Sequence, residues 1–413
     1  MANLQTLSER EVQEMSSLVQ SNVMSEVVAQ LQGLLDKFRT ATLDIAVTGE
    51  SGSGKSTFIN AFRGLGDEEA ESAPTGVTET TKQASVYPHP SYPTVRLWDL
   101  PGIGTPDFHP QLYLEKVNLE RYDFFIIITS ERFKENHVLL AQSIKSMGKK
   151  FYFVRSKIDS DINCCMLRRG NNFSEADVLQ KIRDDCVNCL EEAGVGRPKV
   201  FLISCFEVHK FDFAKLQETL ASELDSHKRH VFLLALPSFS SSYIEKKKQA
   251  LSSIVWKTAL SACLAAVLPG PLVNCNIQTL METLTSYQQH FGVDHNSLFK
   301  LSTKTGRSYQ ELRSQVTSSY GVELSYQRVE ELLKQAAVGQ RWLVGMLEGR
   351  IPFLGNIVNG GVSFVASYYL LKSAIDELAE DGKRVMKAAL QDEYDTTETT
   401  MDEPEDPGFF YFD

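Results

Sequence analysis

The sequence predicts an α/β fold: a domain with a mostly parallel sheet, set between N- and C-terminal helices that together build an all-helical domain. Three observations carry that prediction. Residues 1–40 place Leu7, Val12, Met15, Val19, Val23, Val27, Leu31, Leu34 and Phe38 on one helical stripe. From Leu43 onward the short apolar runs LDIAV, VRLW, FFIIIT, FYFV and VFLIS alternate with segments long enough for crossover helices, the pattern of parallel strands covered on both faces. Beyond Pro237 the strand series stops and helical periodicity continues to about Gln391.

Taken in order, Ser8-Glu9-Arg10-Glu11 fits a capping box, so helices are expected over residues 1–40. The α/β domain is expected over 41–230 and the C-terminal helical domain over 237–390. Within the latter, the stripes Tyr243 to Leu268, Ile277 to Phe291, Leu324 to Leu347 and Val362 to Leu390 read as helices. Residues 391–413 hold nine of the 53 acids and no base, so the formal charge of -11 is concentrated in an acidic tail expected to be disordered. The remaining body is nearly neutral, which excludes sequence-independent nucleic-acid binding.

Seven cysteines, an odd number, and an N-terminus MANLQTLSER without an export signal indicate a reducing, cytoplasmic setting and no secretion. Cys186-Val-Asn-Cys189 has zinc-type spacing but lies in a helical run with no second ligand pair, so it reads as thiols. Ala2 excludes N-myristoylation, and the ending FFYFD offers no prenylation cysteine. Ile351 to Leu371 carries no charge, but Pro352, Gly355, Gly360 and Gly361 break it, and it reads as a buried helix rather than a membrane span. Lys246, Lys247 and Lys248 beside apolar helices leave two readings open, a peripheral contact with an anionic membrane surface or a solvated helix face.

The chemistry concentrates in the α/β segment. Gly49-Glu50-Ser51-Gly52-Ser53-Gly54-Lys55-Ser56, with Thr57 following, is a full phosphate-binding loop between a predicted strand and a predicted helix. Its glycines let successive backbone N–H groups face phosphates, Lys55 reaches the β- and γ-phosphates, and the Ser56 hydroxyl is a ligand for Mg²⁺. Asp99 in Asp99-Leu100-Pro101-Gly102 ends a strand, where it can hold Mg²⁺, and the Gly102 N–H can meet the γ-phosphate. Ser156-Lys157-Ile158-Asp159 follows another strand. A carboxylate such as Asp159 accepts from both N1–H and the 2-amino group of guanine, which selects GTP and GDP over adenine nucleotides. Gly66 to Thr81 occupies the place of a first switch; Thr75 and Thr81 are both candidates to reach Mg²⁺. Ile103 stands where small GTPases carry a water-orienting Gln, so Glu79 is the candidate for that catalytic task beside Lys55 and Gly102.

These motifs, together with GESGSGKSTFINAFRGLG, PTGVTETT, YPHP, WDLPGIGTP, YDFFIIITSERFKEN, KKFYFVRSKIDSD, FDF at 211–213 and HKRHVFLLALP, resemble the immunity-related (interferon-inducible) GTPases over roughly residues 40–390. The resemblance implies a dynamin-like GTPase with a G domain between helices, GTP-dependent self-assembly, and action at intracellular or vacuolar membranes in cell-autonomous defence. It implies a guanine site that includes Ser204 and Cys205. The chain departs from the family pattern with Ser156 for Thr, Ser204-Cys205 for Ser-Asn, and no myristoylated glycine; its GKS loop is similar to the effector-type branch. A GTP-binding scaffold with negligible turnover is the alternative, and assembly-dependent hydrolysis separates the two.

Overall fold

The computed structural model describes residues 13–14, 17, 24–76, 83–103, 118–131, 135–196, 199–208, 210–236, 241–264, 276–322, 324–339 and 360–398. The chain divides into two compact units, Gln32–Pro237 and a second made of Met1–Leu31 with Ser238–Asp413. Of the expected N-terminal helices, residues 13, 14 and 17 and the helix α1 (Met24–Thr40) are described, all helical.

In the α/β unit every one of the five apolar runs becomes a strand. β1 (Leu43–Gly49), β3 (Tyr92–Asp99), β4 (Phe124–Thr129), β5 (Lys150–Arg155) and β6 (Val200–Leu202) are joined by a further strand, β2 (Ser85–His89), in the order β2-β3-β1-β4-β5-β6. All pairs are parallel except the β2–β3 hairpin. β1 and β4 are buried at every residue, which is why they read as unbroken apolar runs. β2 alternates, carries Pro88 and lies at an edge, so its sequence gave no comparable run.

The helices α2 (Lys55–Arg63), α3 (Glu135–Ser146), α4 (Ile158–Arg169), α5 (Glu175–Glu192), α6 (Phe213–Glu223) and α7 (Ser226–Ala235) complete the unit. Ile144, Ile158 and Leu190 from α3, α4 and α5 share one buried cluster with Phe125, Ile127 and Phe153 of the sheet. Asp225, expected near the domain's end, caps α7 by accepting from the His227 and Lys228 N–H groups. At the amino end of β1, Asp44 receives two bonds from Arg96 and one from Trp98 Nε1, and Arg121 lies 3.6 Å over the Trp98 ring.

The helical unit contains α8 (Ser241–Ser252), α9 (Val255–Leu264), α10 (Ile277–Phe291), α11 (His295–Thr305), α12 (Tyr309–Ser314), α13 (Tyr326–Gly339) and α14 (Gly360–Glu398). α14 has 39 residues, about 58 Å of helix, and packs against α8 to α13. Its fully buried Asp381 accepts from the backbone of Thr317 and Ser318, from the Ser318 hydroxyl and from Arg384. The helix expected over 243–268 is broken at Ser253-Ile254, and α11 and α12 lie where no helix was expected.

The charge-free run 351–371 lies outside the described residues up to 359; from 360 it forms the start of α14, with Phe364, Val365, Tyr368 and Leu371 buried. No helix among the described residues is long and apolar enough to cross a membrane. The lysine run does not form one lipid-facing face. Lys247 is buried and donates to the His290 carbonyl at 3.0 Å, and Lys248 pairs with Asp376 at 3.0 Å. Residues 391–398 of the acidic segment continue α14, since no Gly or Pro interrupts them; 399–413 lie outside the described residues. Among the described residues no cluster could hold a metal through His, Cys, Asp and Glu, and burial pushes the Cys186 thiol up to about 11.

Burial lowers the Lys247 ammonium to about 7. Between that value and the ordinary lysine range the unfolded chain binds the extra proton, so stability of this unit should rise with pH from about 7 to 10, by at most about 1.4 kcal/mol per pH unit. Urea unfolding followed across that range should show the slope in the parent chain and a flatter one in Lys247→Met.

Candidate functional site

The site forms at the carboxyl ends of β1, β3 and β5, where three loops converge. The first leaves β1 at Gly49 with φ +145°. A Cβ there would stand 2.0 Å from the Ile128 carbonyl oxygen of β4, so only glycine lets the loop pass the neighbouring strand. Gly52 and Gly54 have φ +75° and +89°, and Gly54 caps α2 in the left-handed conformation. The loop thus bends back over the N-terminus of α2, where free helix N–H groups and the positive end of the dipole face one point.

Lys55 is buried within that loop, its Nζ donating to Gly49 O at 3.3 Å and Glu50 O at 2.9 Å. Ser56 donates to Asp99 Oδ2 at 2.7 Å, which brings a hydroxyl and a carboxylate from two motifs to one place. Asp99 is fully buried at the end of β3. This pairing of hard oxygen donors, one of them a carboxylate, fits a Mg²⁺ ion. After Asp99 the chain stays on the glycine loop. Leu100 N–H donates to Val47 O and Ile103 N–H to Gly49 O, while Gly102 lies so close to Ser51 that a Cβ would be 3.1 Å from the Ser51 nitrogen. Ile103 is fully buried, so its side chain faces the core.

The third loop fastens to the first. Ser156 is buried and donates to Ser53 O at 2.7 Å, and Lys157 donates to Gly52 O at 2.9 Å. Lys157 itself adopts φ +58° and begins α4, whose first turn carries Asp159. Asp159 Oδ1 is a buried acceptor with no hydrogen-bond partner among the described residues, the condition expected of a carboxylate whose partner is a ligand. The Ser204 oxygen accepts from the Phe206 and Glu207 N–H groups, so it shapes its own loop. Burial, with Asp159 nearby, pushes the Cys205 thiol up to about 12, which keeps it protonated.

Thr57 is half-buried in α2, and Thr75, in the described first part of the expected switch, is exposed. Glu79 and Thr81 lie outside the described residues. The structure brings together Lys55, Ser56 and Asp99, and ties Ser156 and Lys157 to the loop. Two residues escaped sequence reading. Asn60 is buried in α2, donates to Asp67 and to Ala73 O, and accepts from Ala73 N–H, pinning the approach to Thr75. Asn136 donates to Ile103 O at 3.1 Å. The signal for Asn60 was present: an amide between Ile59 and Phe62 on the face of a helix that must be buried.

A family model described as "Interferon-inducible GTPase (IIGP)" matches residues 8–389. The chain is 39% identical over 398 residues to "Interferon-inducible GTPase 5" of Rattus norvegicus, covering 96% of this chain and 86% of that protein. It is 39% identical over 393 residues to "Interferon-gamma-inducible GTPase 10" of Mus musculus, covering 94% and 92%. With "T-cell-specific guanine nucleotide triphosphate-binding protein 2" of Mus musculus it shares 42% identity over 308 residues, 74% of each chain.

The close approach at Gly49 is testable against a second glycine. Gly49→Ala should destabilise by about 3 kcal/mol or more, whereas Gly33→Ala, in α1 with nothing within 4 Å of the new Cβ, should stabilise by up to about 1 kcal/mol. Denaturant unfolding of both variants checks the opposite signs.

Proposed function

Because the chain belongs to the interferon-inducible GTPase family, we propose that it binds GTP with Mg²⁺ at the glycine-loop site, hydrolyses it slowly alone, and faster when copies pair through their nucleotide-binding faces. The chain is a GTPase. The observation that carries it is the meeting of Ser56 with Asp99 at 2.7 Å beside the loop that encloses Lys55.

In this reading the loop N–H groups from Gly49 to Thr57 hold the phosphates and Lys55 turns from the loop carbonyls to the β- and γ-phosphate oxygens. Ser56 and Asp99 hold Mg²⁺, with a threonine of the switch, Thr75 or Thr81, as a further ligand. When bound, the ion neutralises charge on the phosphate oxygens. Asp159 accepts from the guanine edge, the Lys157 stem covers the base, and the Ser204-Cys205 backbone borders it. The Gly102 N–H meets the γ-phosphate.

Hydrolysis further requires an oriented water. Ile103 is apolar and faces the core, so the residue after Gly102 does not supply that group. Glu79 is assigned the task, carried out in the GTP-bound state when a second copy pairs with the first. That requirement is the reason to expect turnover that depends on assembly. The family reading extends to action at intracellular or vacuolar membranes in cell-autonomous defence from a cytoplasmic, peripheral location. Such contact would draw on surfaces other than the Lys246–Lys248 run, whose Lys247 and Lys248 are engaged within the helical unit.

Lys55→Ala should weaken GTP binding by about 100-fold, a loss of about 2.7 kcal/mol, measurable by titration with a fluorescent GTP analogue; undiminished binding would remove Lys55 from the site. GTP turnover per molecule should rise with protein concentration in step with light scattering, and ATP should support neither. A flat turnover at every concentration would instead describe a nucleotide-gated scaffold.

A further inference from the structure

The segment Ser156-Lys157-Ile158-Asp159 is bracketed by an ion pair that belongs to none of the nucleotide motifs. Arg155, the last residue of β5, immediately precedes it, and Asp161, in the first turn of α4, follows it by one residue. Arg155 Nη2 donates to Asp161 Oδ2 at 2.6 Å. The guanidinium is buried, and its Nη1 has no hydrogen-bond partner among the described residues. Burying a guanidinium that is satisfied on one side only is expensive, and an apolar residue would fill the same place at less cost. The pair therefore suggests a role other than stability.

The geometry around it supplies one. The strand side is fixed, since Arg155 O accepts from Ile203 N–H at 2.8 Å and Ser156 N–H donates to Thr129 O at 2.8 Å. Between strand and helix the chain passes through Lys157, whose left-handed φ of 58° is uncommon for a residue with a side chain. A turn of that kind persists where its surroundings hold it from both ends. The Arg155–Asp161 pair closes it across the turn, so α4 leaves the sheet in one direction only. The pair also balances charge: burial and the neighbouring Asp159 both raise the Asp161 carboxyl, and Arg155 acts against them.

We infer that Arg155 and Asp161 are positioning residues for guanine selectivity, holding the first turn of α4 so that the Asp159 carboxylate faces the 2-amino group and N1–H of the base. The inference rests on the proposed reading of Asp159 as the base contact. A carboxylate–amine hydrogen bond is directional, whereas the phosphates are held by many loop donors, so a tilt of this turn costs base discrimination first.

The test compares GDP with inosine diphosphate, which lacks the 2-amino group, by equilibrium binding to the full chain in Mg²⁺ buffer. The parent chain should prefer GDP. In Asp161→Ala, GDP affinity should fall about tenfold, the size of one lost hydrogen bond, and that of inosine diphosphate, which offers Asp159 only N1–H, by clearly less, so that the preference narrows. Asp161→Asn, which retains an acceptor for Arg155, should recover most of the preference, and Arg155→Lys should lose part of it while keeping the charge. Equal losses for both nucleotides, or an unchanged ratio in Asp161→Ala, would reduce the pair to a structural role and overturn the inference. If Asp161→Ala does not fold, an unchanged ratio in Arg155→Lys does the same. A parent chain that binds both nucleotides alike would instead overturn the reading of Asp159 itself.

Discussion

The structure of the α/β unit depends on one close approach, the passage of Gly49 beneath the carbonyl of Ile128. β1 is a central strand, buried at every residue and paired in parallel with both β3 and β4. A loop leaving it must turn within the space its neighbours leave. With no Cβ at Gly49 the backbone makes that turn, and the carbonyl of Gly49 itself then accepts from Ile103 N–H, drawing the segment after Asp99 to the loop. Ser156 and Lys157 reach in from β5 to the carbonyls of Ser53 and Gly52. Three loops far apart in sequence are thereby tied together, and the N–H groups that the proposed reading turns to phosphate are positioned by the fold itself.

The helical unit uses buried polarity in a different way. Its long helix α14 would be free to slide or rotate against a purely apolar surround. Asp381 removes that freedom, since its acceptors are matched by N–H groups of Thr317 and Ser318 and by Arg384 one helical turn away. Gly321 and Gly382 permit the contact: a Cβ on the first would stand 2.7 Å from Asp381 Oδ2, and on the second 2.8 Å from the Phe291 carbonyl. Lys247 adds a second fixed point at the end of α10 through the His290 carbonyl. Each such group is costly unless matched, so one packing of these helices is selected over its neighbours.

What was legible in the sequence follows from how completely a segment's environment is dictated by its own residues. β1 and β4, buried on both faces, must be apolar throughout, and Gly49 to Ser56 must carry glycine at fixed places, so both are visible in the letters alone. β2 has one wet face, a proline and an edge, and α11 is a short helix whose exposed face includes Phe299; neither leaves a continuous signature, although Asp294 and Gly306 cap α11 at its two ends. Lys247 was hidden in a run of three lysines, because a charge sequence does not say which member turns inward. Asn60 and Arg155 were hidden for the opposite reason. Each is a polar residue whose partner is set by the three-dimensional path of a loop.

The division between binding and turnover follows from the same geometry. In the proposed reading, the groups that hold the phosphates and the base are built on ends of strands and first turns of helices, whose positions the sheet dictates. The position after Gly102, by contrast, is given to the core as Ile103, which belongs to the same buried cluster as Leu100, Trp98 and Tyr122. An apolar residue there strengthens the floor beneath the glycine loop but has no group with which to orient water. In the proposed reading, a chain built this way binds nucleotide on framework elements and draws the final catalytic group from the switch, so occupancy and hydrolysis become separately controllable. Such separation suits a molecule whose bound nucleotide reports a state before hydrolysis ends it.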